Sequence, residues 1–154
     1  MNKKKLNILL ADDDIDDCNF FKDALAALSI TTNLTVVHDG EELMKLLTNT
    51  AYEVPHILFL DINMPRKNGL ECLAEIKLNN QLEEFPVVIF STSYEKEVVN
   101  ILYENGAKYF IRKPPEFKSF KKIILHILTL ISDGNILPPT REEFVLTAGN
   151  SFMI

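Results

Sequence analysis

The stretch Leu6-Asn7-Ile8-Leu9-Leu10-Ala11, running straight into Asp12-Asp13-Asp14, decides the fold. A short run rich in branched apolar residues and closed abruptly by acids reads as a strand buried on both faces, which is what a parallel sheet demands. The same kind of run recurs at Leu34–His38, Ile57–Leu60, Pro86–Phe90 and Ala107–Ile111. Between these runs the apolar spacing changes to the helical period. Phe21, Leu25 and Leu28 share one face, as do Leu43, Met44 and Leu47, then Leu70, Leu73 and Ile76, then Val98, Ile101 and Leu102. A last helix carries the stripe Phe117, Phe120, Ile124, Ile127 and Ile131, with Lys118, Lys121 and Lys122 pointing away. Asp39-Gly40 and Asn68-Gly69 open helices, and Asn105-Gly106 closes one. Strands alternating with helices imply right-handed crossovers and a sheet covered on both sides. The expected fold class is α/β, a doubly wound five-stranded parallel sheet with helices on both faces.

Composition sets the outer bounds. A chain of 154 residues suits one domain. Apolar residues make up 47% and charged residues 25%, which is globular composition with enough apolar side chains for a core. The formal charge of -6 opposes nonspecific binding to nucleic acid or to an anionic membrane. Uncharged apolar stretches fall short of the roughly 18 residues a membrane span needs. Met1-Asn2-Lys3-Lys4-Lys5 resembles the start of a secretory signal, but the apolar run behind it ends in acids without a small-residue cleavage site, so a cytoplasmic chain is expected. Cys18 and Cys72 form no paired motif and read as small buried hydrophobes. His38, His56 and His126 lack metal-ligand spacing.

Ligands of doubly wound sheets gather beyond the carboxyl ends of the strands. There the first run delivers Asp12, Asp13 and Asp14, and the third delivers Asp61. Two carboxylates about 4 Å apart repel by roughly 4 kcal/mol at an effective dielectric near 20, so neighbouring strands would make this cluster want a cation. Oxygen donors suit a hard divalent ion that keeps several waters, and Mg²⁺ is the usual one. The fourth run ends in Ser91-Thr92-Ser93 and the fifth runs into Lys113-Pro114-Pro115. Taken singly, these residues are helix caps, turn acids and a solvated lysine. Taken together they offer a hydroxyl, an ammonium and a metal site to the oxygens of a phosphoryl group. No Gly-rich phosphate loop is present, which speaks against ATP or NAD.

In order, strand position and spacing, the segments Ile8–Asp14, Leu60–Gly69, Phe90–Thr92 and Phe110–Pro114 are similar to the receiver domain of two-component response regulators. The resemblance covers about Leu6 to Ile131 and implies the flavodoxin-like strand order 2-1-3-4-5. It makes Asp61 the phosphoacceptor and nucleophile. It implies Mg²⁺ held by Asp13, Asp61 and the Asn63 backbone carbonyl, with Asp12 acting through water, while Asp14 serves as a helix cap. Ser91, with Thr92 beside it, aligns with the hydroxyl residue that binds the phosphoryl oxygen. The resemblance makes Lys113 the catalytic and switch lysine and implies a cis peptide bond between it and Pro114. Phe110 takes the place of the switch aromatic, where the family more often has tyrosine or histidine. Asn63 and Ser93 take the positions that tune dephosphorylation. The implied partners are a histidine kinase or phosphotransfer protein and an output protein not identified by the sequence, with a homodimer as a further expectation.

Two other classes compete with this reading. A haloacid-dehalogenase-type phosphatase needs a second acid two residues after its nucleophile, where this chain has Asn63. A degenerate receiver acting only as an interaction module is opposed by the intact set Asp12, Asp13, Asp61, Ser91 and Lys113. A phosphoacceptor, not a turnover enzyme, is therefore expected. The loop Asn79–Phe85 resembles that of stand-alone receivers paired with phytochrome-type or other hybrid kinases. The domain division is a receiver over 1–131 and a C-terminal extension over 132–154, too short for a helix-turn-helix or a domain of its own. The extension holds Ile136, Leu137, Phe144, Val145, Leu146, Phe152, Met153 and Ile154, which is too apolar for a solvated tail. Thr140 and Glu143 form a capping box. A short helix from Arg141 to about Leu146 is expected to dock Phe144 and Val145 on the receiver, on a sister subunit or on the kinase.

Overall fold

The computed structural model describes residues 5–92, 94–113, 116–134 and 138–146. Ser93, Pro114 and the tail residues Ile136, Leu137, Phe152, Met153 and Ile154 lie outside the described residues. The chain alternates β1 (Leu6–Ala11), α1 (Ile15–Ala26), β2 (Thr32–Val37), α2 (Gly40–Leu47), β3 (Ile57–Leu60), α3 (Gly69–Leu78), β4 (Val87–Ser91), α4 (Lys96–Glu104), β5 (Tyr109–Arg112) and α5 (Phe117–Ser132). It then adds α6 (Arg141–Phe144) and β6 (Val145–Leu146). All neighbouring strands are parallel, in the order β2-β1-β3-β4-β5-β6. The expected order 2-1-3-4-5 is thus present with a sixth strand beside β5.

Burial explains the runs. Every residue of β3 and β4 is buried, because helices cover both sides of the sheet. On one side Leu43, Leu47, Leu73, Ile76, Val99 and Leu102 of α2, α3 and α4 pack against Leu9, Leu58, Leu60 and Ile89. On the other, α1 and α5 bring Phe21, Leu25, Phe120, Ile124 and Ile127 onto Ile8, Leu10, Phe59 and Phe90. Phe21 meets Phe59 at 4.8 Å and Phe90 stacks on Phe120 at 5.1 Å between ring centroids, so aromatic pairs fill this layer.

Three details differ from the expectation. The buried residues of α4 are Val99 and Leu102, whereas Ile101 is 45% exposed, because the helix begins at Lys96 and its i, i+3 pair sets the inward face. Phe117 is 38% exposed at the start of α5 and rests edge-on against Phe20 instead of entering the core. The tail helix is a single turn: the Thr140–Glu143 capping box is present, but the chain becomes extended at Val145 and pairs with β5, Phe110 opposite Val145 and Ile111 opposite Leu146. The tail docks on its own receiver, with Phe144 fully buried. The Tyr103 hydroxyl donates to the Pro139 carbonyl at 3.1 Å, and Arg141 Nε donates to Asn100 Oδ1 at 2.8 Å. No described helix is long and apolar enough to cross a membrane.

Candidate functional site

The carboxyl ends of β1, β3, β4 and β5 place Asp12, Asp61, Ser91 and Lys113 together. All four are buried, Asp12 and Ser91 fully so. β1 and β3 are neighbours in register Ala11 to Leu60, so Asp12 and Asp61 leave the sheet side by side. Asp12 Oδ1 accepts the Asp14 backbone N–H at 3.0 Å, and Asp14 caps α1 by accepting the Asp17 N–H at 3.1 Å. Asp12 and Asp13 reach the site from one tight strand-to-helix turn, which Asp14 closes as the cap of α1.

Lys113 Nζ lies 2.6 Å from Asp12 Oδ2, 2.9 Å from Asp17 Oδ2 and 3.8 Å from Asp61 Oδ2. It also sits 4.8 Å above the Phe90 ring. Burial alone would pull this lysine down, but the Asp12 hydrogen bond, the Asp61 charge and the Asp17 hydrogen bond outweigh it and hold it above the usual lysine range. Burial pushes the Asp61 carboxyl up to about 6, against the lowering effects of the Lys113 charge, the Ser91 hydroxyl and the Asn63 backbone N–H, which both hydrogen-bond to it. Asp12 is likewise raised by burial, moderated by its hydrogen bond with Lys113.

Oxygen atoms of Asp12, Asp13 and Asp61 all lie within 4.8 Å of one another, with Asp13 open to solvent. An all-carboxylate donor set, with one exposed member and a single neighbouring ammonium, fits a hydrated hard divalent cation. Ser91, not Thr92, contacts Asp61; Thr92 is exposed. Asn63 is exposed and reaches Asp61 through its backbone N–H. Phe110 is fully buried, edge-on to Tyr94 at 5.9 Å and to Phe144 at 6.4 Å. Cys18 and Cys72 are buried thiols pushed by burial up to about 11 and about 12, as small hydrophobes in a core should be. His56 Nδ1 accepts the Asn7 N–H and serves the opposite end of β1.

A model of the response regulator receiver domain matches residues 8–125. The chain belongs to the response regulator receiver family. It is 33% identical over 135 residues to the response regulator Rcp1 of Synechocystis sp., covering 85% of this chain and 92% of that protein. Among solved structures it resembles the phosphorylated cyanobacterial phytochrome response regulator RcpA, with a TM-score of 0.76 at 29% identity, over 88% of this chain and 100% of that one. The Mn(2+)-bound form of Rcp1 matches with a TM-score of 0.75 at 29% identity, over 88% and 99% of the two chains. This chain is thus a receiver module of two-component signalling, and its acidic cluster suits a divalent ion.

Two features of the receiver site escape sequence reasoning. Asp17 reads as an ordinary first-turn acid of α1, yet its carboxylate is the second closest partner of Lys113. Gly69 reads as a helix opener, yet a Cβ there would lie 2.4 Å from the Asp61 carbonyl oxygen. The second could have been suspected from its place eight residues after the acceptor strand's last acid; the first has no local signal.

Proposed function

We propose that Asp61 is the phosphoacceptor of this receiver, taking its phosphoryl group from a histidine kinase or a phosphotransfer protein. The observation that carries this reading is the convergence on one buried carboxylate of a hydroxyl, a backbone N–H and an ammonium, beside two further acids. Asp61 attacks phosphorus as the P–N bond of the phosphohistidine breaks; an Asp61 Oδ–P bond forms, and the imidazole leaves and takes its proton from water. Mg²⁺ would be held by Asp13, Asp61 and the Asn63 carbonyl, with Asp12 through water, and when bound it supplies positive charge to the phosphoryl oxygens. Ser91 donates its hydroxyl to one oxygen, and Lys113 gives an ammonium hydrogen bond to another.

The resulting acyl phosphate draws Ser91 and Lys113 toward it, and the end of β4 and the ring of Phe110 respond. The shift is as large as the differential affinity of the two states for phosphate and partner. Upstream the partner class is a histidine kinase or phosphotransfer protein; downstream it is a protein met by contact, a second copy of this chain included, in the cytoplasm. The likeness to a phytochrome response regulator supports a photoreceptor kinase as the upstream class.

Acetyl phosphate with Mg²⁺ tests the assignment. The wild-type chain labels stoichiometrically at Asp61, and Asp61→Asn abolishes labelling. Robust labelling of Asp61→Asn would sink the assignment, catalytic release of phosphate would favour a phosphatase, and an unlabelled wild type would favour an interaction module.

A further inference from the structure

An ammonium has three hydrogens to give, and Lys113 faces three carboxylates at unequal distances: Asp12 at 2.6 Å, Asp17 at 2.9 Å and Asp61 at 3.8 Å. We propose that Asp17 is a positioning residue that anchors the Lys113 ammonium on the α1 side of the site, so that an incoming phosphoryl group must displace Asp17 to engage Lys113. The proposal rests on the roles of Asp61 and Lys113 given above.

The three carboxylates differ in what happens when the lysine leaves. Asp12 is fully buried and would be stranded without a counter-charge, which is costly, so it is the fixed partner. The Asp17 side chain is 32% exposed and regains water on release, so it is the exchangeable one. Asp61 is beyond hydrogen-bond distance and becomes the lysine's target once it carries extra anionic oxygens. The anchor is itself held in place: Asp17 is the third residue of α1, and its backbone N–H is bound by the capping carboxylate of Asp14 at 3.1 Å. No rearrangement of α1 is needed for the exchange. Only the lysine side chain moves, by pivoting about Asp12 from Asp17 toward Asp61.

The consequence is a competition that a phosphodonor must win. The test is the initial rate of Asp61 labelling against acetyl phosphate concentration, at fixed Mg²⁺, for wild type, Asp17→Asn, Asp17→Glu, Lys113→Met and the Asp17→Asn/Lys113→Met double variant. Asp17→Asn should lower the half-saturating acetyl phosphate about fivefold with a maximal rate within about twofold of wild type, the upper range for a part-exposed ion pair. Asp17→Glu, which keeps the carboxylate, should return toward wild type. In the Lys113→Met background the Asp17→Asn shift should vanish, since the anchor then holds nothing. An unchanged half-saturating concentration in Asp17→Asn overturns the proposal. So does an equal shift with and without Lys113, which would mark Asp17 as acting through its field on the donor. Wild type that fails to label at Asp61 overturns the underlying phosphoacceptor reading instead, so the two failures are distinguishable.

Discussion

Asp61 carries a pH dependence that can be worked out from its surroundings. Its ordinary value is 3.8, and in the folded chain burial raises it to about 6. The native state therefore holds the proton more tightly than the unfolded chain. The stability this contributes is complete below about pH 4 and is lost as pH rises through about 6, amounting to about 2 to 3 kcal/mol. Asp12, raised by burial, acts in the same direction. Asp61→Asn imitates the neutral carboxyl, so in metal-free buffer the variant should be more stable than wild type by about 2 to 3 kcal/mol at about pH 7.5, by roughly half that at about pH 5, and nearly equal to it only below about pH 4, measured by urea unfolding. Adding Mg²⁺ should favour wild type at the higher pH, since the ion binds the ionised carboxylate and not the amide. Parallel pH profiles for the two chains would show that Asp61 is solvated in the folded state. At this scale Asp12, Asp13, Asp61, Ser91 and Lys113 were legible because each sits where an apolar run stops, a place that chain order alone locates. Asp17 was not, because its partner lies 96 residues away and a first-turn acid already has the helix dipole as a sufficient local reason.

The elements hold the acceptor through close backbone contact as well as through side chains. α3 starts directly against the end of β3: the Gly69 N–H donates to the Ile62 carbonyl at 2.8 Å, after a turn in which Arg66 takes a φ of 70°. The Asn68–Glu71 capping box satisfies the open end of the helix, and it is what the Asn-Gly pair announces in the sequence. The reason for glycine itself is tertiary. A Cβ at position 69 would meet the Asp61 carbonyl oxygen at 2.4 Å and the Ile62 Cα at 2.8 Å, both backbone atoms with no rotamer to yield. Gly69→Ala should therefore push α3 away from β3, cost about 1 to 3 kcal/mol in urea unfolding and slow labelling of Asp61 by acetyl phosphate. Unchanged stability together with an unchanged labelling rate would show that the loop absorbs the methyl group elsewhere. Strands β1, β3, β4 and β5 were legible as elements because burial on both faces leaves nearly continuous apolar runs, while the edge strand β2, buried only at Val37, showed itself through the run Leu34–His38. The inward face of α4 was misjudged because Val98, Val99, Ile101 and Leu102 permit two phases, and packing against the sheet chose Val99 and Leu102.

Across the whole molecule the parallel sheet puts every strand end of the site on one edge, and the C-terminal segment closes the sheet at another. β6 was not legible as a strand: two residues show no period, and their pairing with β5 is a long-range choice. Once paired, β6 lays Phe144 against Tyr103 at 5.3 Å and Phe110 at 6.4 Å, so the tail becomes part of the α4–β5 side of the core. Most of both core layers comes from β1 to β5 and α1 to α5, with Phe144 and Val145 joining one layer and Leu146 the other, so a chain ending after Ser132 should still fold and still label at Asp61. It should be less stable by about 3 to 5 kcal/mol, the usual cost of emptying a buried phenylalanine site, and Phe144→Ala should account for most of that loss. Because the described tail rests on its own chain, the loss should be the same at every protein concentration. A tail exchanged between subunits would instead make the stability of the full-length chain rise with concentration while the truncated chain stayed constant. Urea unfolding of both chains over a wide concentration range separates these outcomes. Equal midpoints for full-length and truncated protein would show that Phe144 contributes nothing to the fold.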